Sequence, residues 1–131
     1  VQLFSFHKDR PTVKPFLRWA GGKTWLLRHS STFFPRKIEN YHEPFLGGGS
    51  VFLHLKQLDA IRGDSYLYDV NEELINAYKV LQEHYFDLYD ILINCENNSE
   101  YYYYIHSSNP LNQIERAAKF IYLNRTSLAV V

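Results

Sequence analysis

The sequence predicts an α/β fold in which the opening strands of a parallel sheet are followed by a run of helices. Three observations predict it. Two β-type runs, Ile38 to Leu46 and Tyr66 to Tyr68, flank a helical stretch, the strand–helix–strand order that a parallel pair requires. A glycine run, Gly47-Gly48-Gly49, stands where the first strand hands over to that helix. Beyond Asn71 the apolar residues recur at helical spacing only, with no third strand. Parallel sheets need cover on both faces, so a pair of only two strands reads as an interrupted fold.

Each element has a local cause. Val1 to Val13 is polar and irregular, an arm. Thr24 is placed to cap a helix running through Trp25, Leu26 and Leu27 to about Phe34, where Pro35 ends it. Ile38 to Leu46 is the first strand. Ser50 is the expected cap of a short helix that buries Val51, Phe52 and Leu55. After a turn over residues 62–65, Tyr66 to Tyr68 is the second strand, ending at Asp69. Asn71 caps the next helix, with Leu74, Ile75, Tyr78 and Leu81 on its apolar side. Phe86 to Cys95 is helical through Leu88, Ile91 and Leu92, and Glu96 to Ser99 is a polar loop. Asn109-Pro110 is the expected start of the last helix, whose stripe is Ile114, Ala117, Ala118 and Ile121.

Composition narrows the function classes. The 131 residues suit one domain with one core, and 46% hydrophobic with 21% charged residues is ordinary for a globular chain. The 17% aromatic content is high; it serves either a Tyr- and Phe-rich core or stacking on bases. Cys95 is the only cysteine, so there is no internal disulfide and no cysteine-based zinc site. The six histidines show no paired metal-ligand spacing, and no metal is expected. No apolar run approaches the roughly 20 residues of a membrane span, and the N-terminus is unlike a signal peptide, so a cytoplasmic protein without a membrane partner is expected. Net charge is zero, but residues 1–40 carry eight Lys or Arg against two acidic residues and residues 41–100 carry three against eleven. The basic ends either share a polyanion-facing side or are ordinary surface charges.

The strongest chemical unit is Glu43-Pro44-Phe45-Leu46-Gly47-Gly48-Gly49-Ser50 with Asp69, 22 positions after Gly47, at the end of the next strand. Glycines at a strand-to-helix turn permit close backbone approach, and an acid at the end of the second strand can accept hydrogen bonds from both hydroxyls of a ribose. Taken alone the glycines fit a plain tight turn; together with Asp69 they point to a nucleoside cofactor. The dinucleotide pattern needs a third glycine where Phe52 stands, which disfavours a pyrophosphate and suits a phosphate-free cofactor such as S-adenosylmethionine. Ala20-Gly21-Gly22-Lys23-Thr24 is not a triphosphate loop, because Leu17 occupies the position of its first glycine.

Four units in order, Phe16-Leu17-Arg18-Trp19-Ala20-Gly21-Gly22-Lys23, Glu43 to Phe52, Asp69-Val70-Asn71 and Tyr122-Leu123-Asn124-Arg125-Thr126, resemble the Dam-like DNA adenine methyltransferases. The resemblance implies an incomplete Rossmann-like methyltransferase sheet, residues 1–72, that binds S-adenosylmethionine, followed by the start of a helical target-recognition insert, residues 73–131. It implies Trp19, Lys23, Phe45, Gly47, Gly49 and Asp69 as cofactor residues, with Trp19 packing on the cofactor, Lys23 pairing with its carboxylate and Asp69 holding its ribose. It places Asn124 and Arg125 in a segment near duplex DNA, with Arg18 as a further DNA candidate. In that family an Asp-Pro-Pro-Tyr motif bonds the flipped adenine's amino group and stacks on its ring. None of the five prolines here is adjacent to another, so the motif is absent. The expected reading is therefore a truncated site-specific methyltransferase, inactive alone. The alternatives are a non-catalytic remnant, or one part of an enzyme completed by a second chain or a missing C-terminal half.

Overall fold

A computed structural model describes residues 13–127; the predicted arm up to residue 12 and the final four residues lie outside the described residues. The helix expected from Thr24 to Phe34 is two separate turns, α1 (Thr24–Leu27) and α2 (Ser30–Phe33). The Ser-Ser-Thr run that follows His29 has weak intrinsic helix preference. The cap position of α1 is Lys23, without a side-chain cap bond, rather than Thr24.

The first strand is shorter than its sequence pattern. β1 (Tyr41–Glu43) keeps three residues, and Ile38 makes only an isolated parallel bridge to Ile61. Pro44 follows directly, and the next β1-side donor to β2 is the Leu46 N–H, on the Tyr68 carbonyl. β1 pairs in parallel with β2 (Ser65–Leu67), with His42 opposite Tyr66. The two strands are connected through α3 (Ser50–Gln57), which starts from Gly49 in the left-handed conformation; Ser50 is its first helical residue and not its cap. Tyr41 packs with Val51, Leu55, Ala60 and Ile61 in a small core on the α3 side. The opposite face is exposed, and there the ring of His42 stacks on Tyr66 at 4.6 Å and lies parallel to Tyr68 at 6.3 Å.

The larger core is helical. Asn71 caps α4 (Glu72–Glu83), its side chain accepting from the Leu74 N–H at 3.0 Å. α5 (Tyr85–Ile93) buries Leu88. α6 (Ser99–Ser107) occupies what reads in the sequence as the end of a polar loop and a tyrosine tract. It buries no residue fully, and the Asn98 side chain caps it by accepting from the Tyr101 N–H at 2.8 Å. α7 (Gln113–Thr126) starts after Asn112, which accepts from the Glu115 N–H at 2.8 Å; the expected start at Asn109-Pro110 falls in the preceding loop. Ala117 and Ala118 are buried, which lets α7 lie close against α4, its most extensive helix partner. Leu74, Ala77, Val80, Leu88 and Ile121 complete this core together with Leu17, and Phe16 and Trp19 pack on it. Full burial of each Leu or Ile is worth about 1.5–3 kcal/mol, so the segment before α1 is held by the later helices. The packing thereby crosses the expected division at residue 72. No helix among the described residues is long and apolar enough to cross a membrane.

Candidate functional site

The sheet ladder delivers Asp69 to the glycine turn. The Tyr68 N–H donates to the Glu43 carbonyl and the Leu46 N–H to the Tyr68 carbonyl, each at 2.9 Å, carrying the pairing past the end of the strands. One residue on, Asp69 Oδ2 accepts from the Gly47 N–H at 2.9 Å while Oδ1 accepts from the Asn71 N–H at 3.0 Å. A single carboxylate thus ties the end of β2 to the glycine turn and to the start of α4. Each oxygen retains acceptor capacity, as two hydroxyls of a ribose would need.

Gly47 and Gly49 both have positive φ, 52° and 70°. Their missing side chains make room for this chain's own rings. A Cβ at Gly47 would stand 2.9 Å from Trp19 Cδ1, and a Cβ at Gly49 would overlap the Tyr78 hydroxyl. The expected benefit of the glycines was close approach to a ligand; the direct cause found is close approach of Trp19 and Tyr78. Tyr78 donates to the Gly48 carbonyl at 3.1 Å, which fixes the far side of the turn. Lys23 reaches the mouth of the turn, its ammonium donating to the Phe45 carbonyl at 3.2 Å. Phe45 is 76% exposed.

Trp19, Lys23, Phe45 and Asp69 therefore all meet the turn at or beside Gly47, while Gly49 lies against Tyr78. Of the DNA candidates, Arg18 exposes its side chain but its backbone is held by Asn124, whose Oδ1 accepts from the Arg18 N–H and whose Nδ2 donates to the Arg18 carbonyl, both at 2.8 Å. Arg125 is exposed in the last turn of α7. Two clefts of about 420 and 360 Å³ lie along α7, and only the first touches a named candidate, Asn124. Neither of these two clefts is lined by the residues of the glycine turn.

Two polar groups near the glycine turn, Glu43 and Tyr78, are not among the site residues expected from the sequence. Glu43 is buried and accepts from the Tyr41 hydroxyl at 2.8 Å. Burial pushes its carboxyl above the ordinary value, against hydrogen bonds from Tyr41 and from the Phe52 backbone and the positive charge of Lys23. Burial, with the negative charge of Glu43 added, raises the Tyr78 hydroxyl to about 12. The available signal for Glu43 was its parity with Tyr41, two residues earlier on the same strand face. Glu43→Gln keeps an acceptor and removes the buried charge. A carboxyl raised in the fold contributes stability that is full below its unfolded pKa and is lost as pH rises through the folded value. Urea melts from pH 4 to 8 are expected to show this loss in the native chain. The Glu43→Gln chain should show less of it and be at least as stable at pH 7; a lower stability throughout would contradict the assignment.

Comparison with known proteins places these residues in context. The profile of the D12 class N6 adenine-specific DNA methyltransferases matches residues 19–131. The chain is 35% identical to the type II methyltransferase M1.LlaDCHI of Lactococcus lactis subsp. cremoris, across 90% of this chain and 43% of that protein. It is 35% identical to the type II methyltransferase M.MjaIII of Methanocaldococcus jannaschii, across 87% of this chain and 46% of the relative. It is also 35% identical to the DNA adenine methylase of Escherichia coli strain K12, across 86% and 40%. The chain spans less than half the length of these relatives.

Proposed function

Because the chain belongs to the D12 class of N6 adenine-specific DNA methyltransferases, we propose that it forms the cofactor-holding part of an enzyme that moves a methyl group from S-adenosylmethionine to the exocyclic amino group of adenine in a specific site of duplex DNA. The observation that carries this reading is the Asp69 carboxylate bonded to the Gly47 N–H, beside Trp19 and Lys23. The residues suit the cofactor. Asp69 has free acceptor positions for the ribose hydroxyls, Lys23 supplies a cation for the amino-acid carboxylate, and the exposed Phe45 ring offers an apolar face to the adenine or the thioether. S-adenosylmethionine supplies an electrophilic methyl group on a sulfonium; these residues bind and orient it. Arg18 and Arg125, both exposed, are the proposed contacts to DNA phosphate or guanine.

Holding the methyl donor is half of the reaction. The adenine amine is a weak nucleophile and must be taken out of the stack and bonded to acceptors near the methyl group. These 131 residues hold no adjacent prolines and hence no Asp-Pro-Pro-Tyr motif. The chain alone is therefore proposed to bind cofactor without transferring methyl. The same absence favours a second reading, in which a further polypeptide segment or separate chain supplies the motif and this part binds cofactor or DNA.

Calorimetry of the chain with S-adenosylhomocysteine, alongside a methylation assay on duplex DNA with tritiated S-adenosylmethionine, tests both parts. Saturable binding with no transferred tritium is the expected result. A folded chain that binds nothing overturns the cofactor reading, and tritium on adenine from this chain alone overturns its silence.

A further inference from the structure

Asn124 lies in the segment expected near DNA, yet its carboxamide is engaged within the chain. It pairs with the N–H and carbonyl of Arg18 as one peptide unit pairs with another, 106 positions away. Its neighbours on α7 serve the same segment. Ala117 and Ile121 pack with Leu17, and Phe120, one turn before Asn124, faces the Trp19 ring at 6.4 Å. Residues three and four apart share one helix face, so a single stripe of α7 seats residues 17–19. Trp19 in turn lies on Gly47 and Gly48. An unbroken series of contacts therefore runs from the α7 backbone through Asn124, Arg18 and Trp19 to the glycine turn. Arg125, the next residue, is exposed.

We propose that Asn124 is a positioning residue: its carboxamide fixes the Arg18 backbone, sets the Trp19 indole on the glycine turn, and so links the position of α7 to that of the cofactor residues. The functional half of this proposal rests on reading the turn as a cofactor site; the clamp itself does not. A displacement of α7, such as Arg125 closing on a polyanion would impose, reaches the turn through two hydrogen bonds and one ring.

The test uses the whole chain, with amide hydrogen exchange at Arg18 followed by NMR and S-adenosylhomocysteine affinity by calorimetry. Asn124→Ala is expected to speed Arg18 exchange about tenfold and to weaken the affinity about tenfold, the scale of losing two ordinary hydrogen bonds. Asn124→Asp, the same size, retains the acceptor for the Arg18 N–H and loses the donor to the carbonyl; it should keep much of the protection and still bind more weakly. The control is Tyr122→Phe, which removes the hydroxyl bonded to the Glu96 carbonyl at 2.8 Å from the same helix. It should lower stability without changing Arg18 exchange or affinity. Unchanged exchange in both Asn124 variants overturns the proposal, as does an equal loss of affinity in Tyr122→Phe. If the native chain binds no S-adenosylhomocysteine, the cofactor reading fails separately, and Arg18 exchange in Asn124→Asp and Asn124→Ala decides the clamp.

Discussion

Replacing Gly49 by alanine is expected to destabilise the chain by about 3 kcal/mol or more. Two effects add. The residue sits at φ 70°, where a Cβ is strained by roughly 1–2 kcal/mol. The added methyl also overlaps the Tyr78 hydroxyl, so the ring must leave its place and release the Gly48 carbonyl. Tyr78 lies against the main helical core, which has no slack for an overpacked ring. The effect is separable in a double-mutant cycle. Tyr78→Phe removes the hydroxyl that the methyl strikes, so Gly49→Ala should be less damaging in that background, leaving chiefly the backbone strain. Urea unfolding followed by far-UV circular dichroism gives all four corners. A penalty under 1 kcal/mol, or one unchanged by Tyr78→Phe, would show that the turn does not need its glycine for the reason given. Gly48→Ala is the internal comparison: its Cβ would meet Trp19 Cβ at 3.3 Å, a contact that small shifts can relieve, and its φ is not positive.

The same turn shows where the amino-acid sequence was legible. Gly47, Gly49 and Asp69 announced a glycine turn at one strand end and an acid at the next, because special backbone conformations and strand-end acids are written in residue type and spacing; that the acid bonds the turn was not announced. Asn71 was readable as a cap for the same reason: a short polar side chain before an apolar periodicity has one dominant use. Features that depend on distant partners were not readable. Ser50 has the chemistry of a cap, but Gly49 takes the cap position, since only a residue without a Cβ there leaves room for Tyr78. α6 has no clear apolar period; it is held by Tyr101 edge-on to Tyr122 at 5.5 Å, by the Lys119 ammonium, which donates to the His106 carbonyl at 3.1 Å, and by the Asn98 cap. The last helix starts later than its sequence pattern predicts, because Asn109-Pro110 and Asn112 are both good starts and the bond from the Glu115 N–H selects Asn112. Asn124 is the clearest case. The resemblance implies that Asn124 and Arg125 lie near DNA, and nothing local reveals that the amide is also bonded to Arg18, 106 positions earlier.

Asp69→Asn is expected to weaken S-adenosylhomocysteine binding about 100-fold, the loss of two hydrogen bonds to a charged acceptor. The substitution is nearly isosteric, so its effect comes from hydrogen-bond polarity. In the native chain both carboxylate oxygens accept, one from Gly47 and one from Asn71. An asparagine amide has one acceptor and one donor, so one of those backbone N–H groups meets an NH2 group instead. Some loss of stability is thus built into the variant, and a fall in affinity alone does not separate a ribose contact from a displaced turn. The ligand separates them. Adenosine and 2′,3′-dideoxyadenosine differ only in the two hydroxyls that Asp69 is proposed to accept. The native chain should prefer adenosine strongly. The variant should lose most of that preference even where its overall affinity has fallen, because the discriminating acceptor is gone. If Asp69 only braces the turn, both ligands weaken together and the ratio between them stays constant. If the native chain binds the two nucleosides equally, Asp69 is a structural acid linking Gly47 to Asn71, and the ribose must be sought elsewhere around the glycine turn.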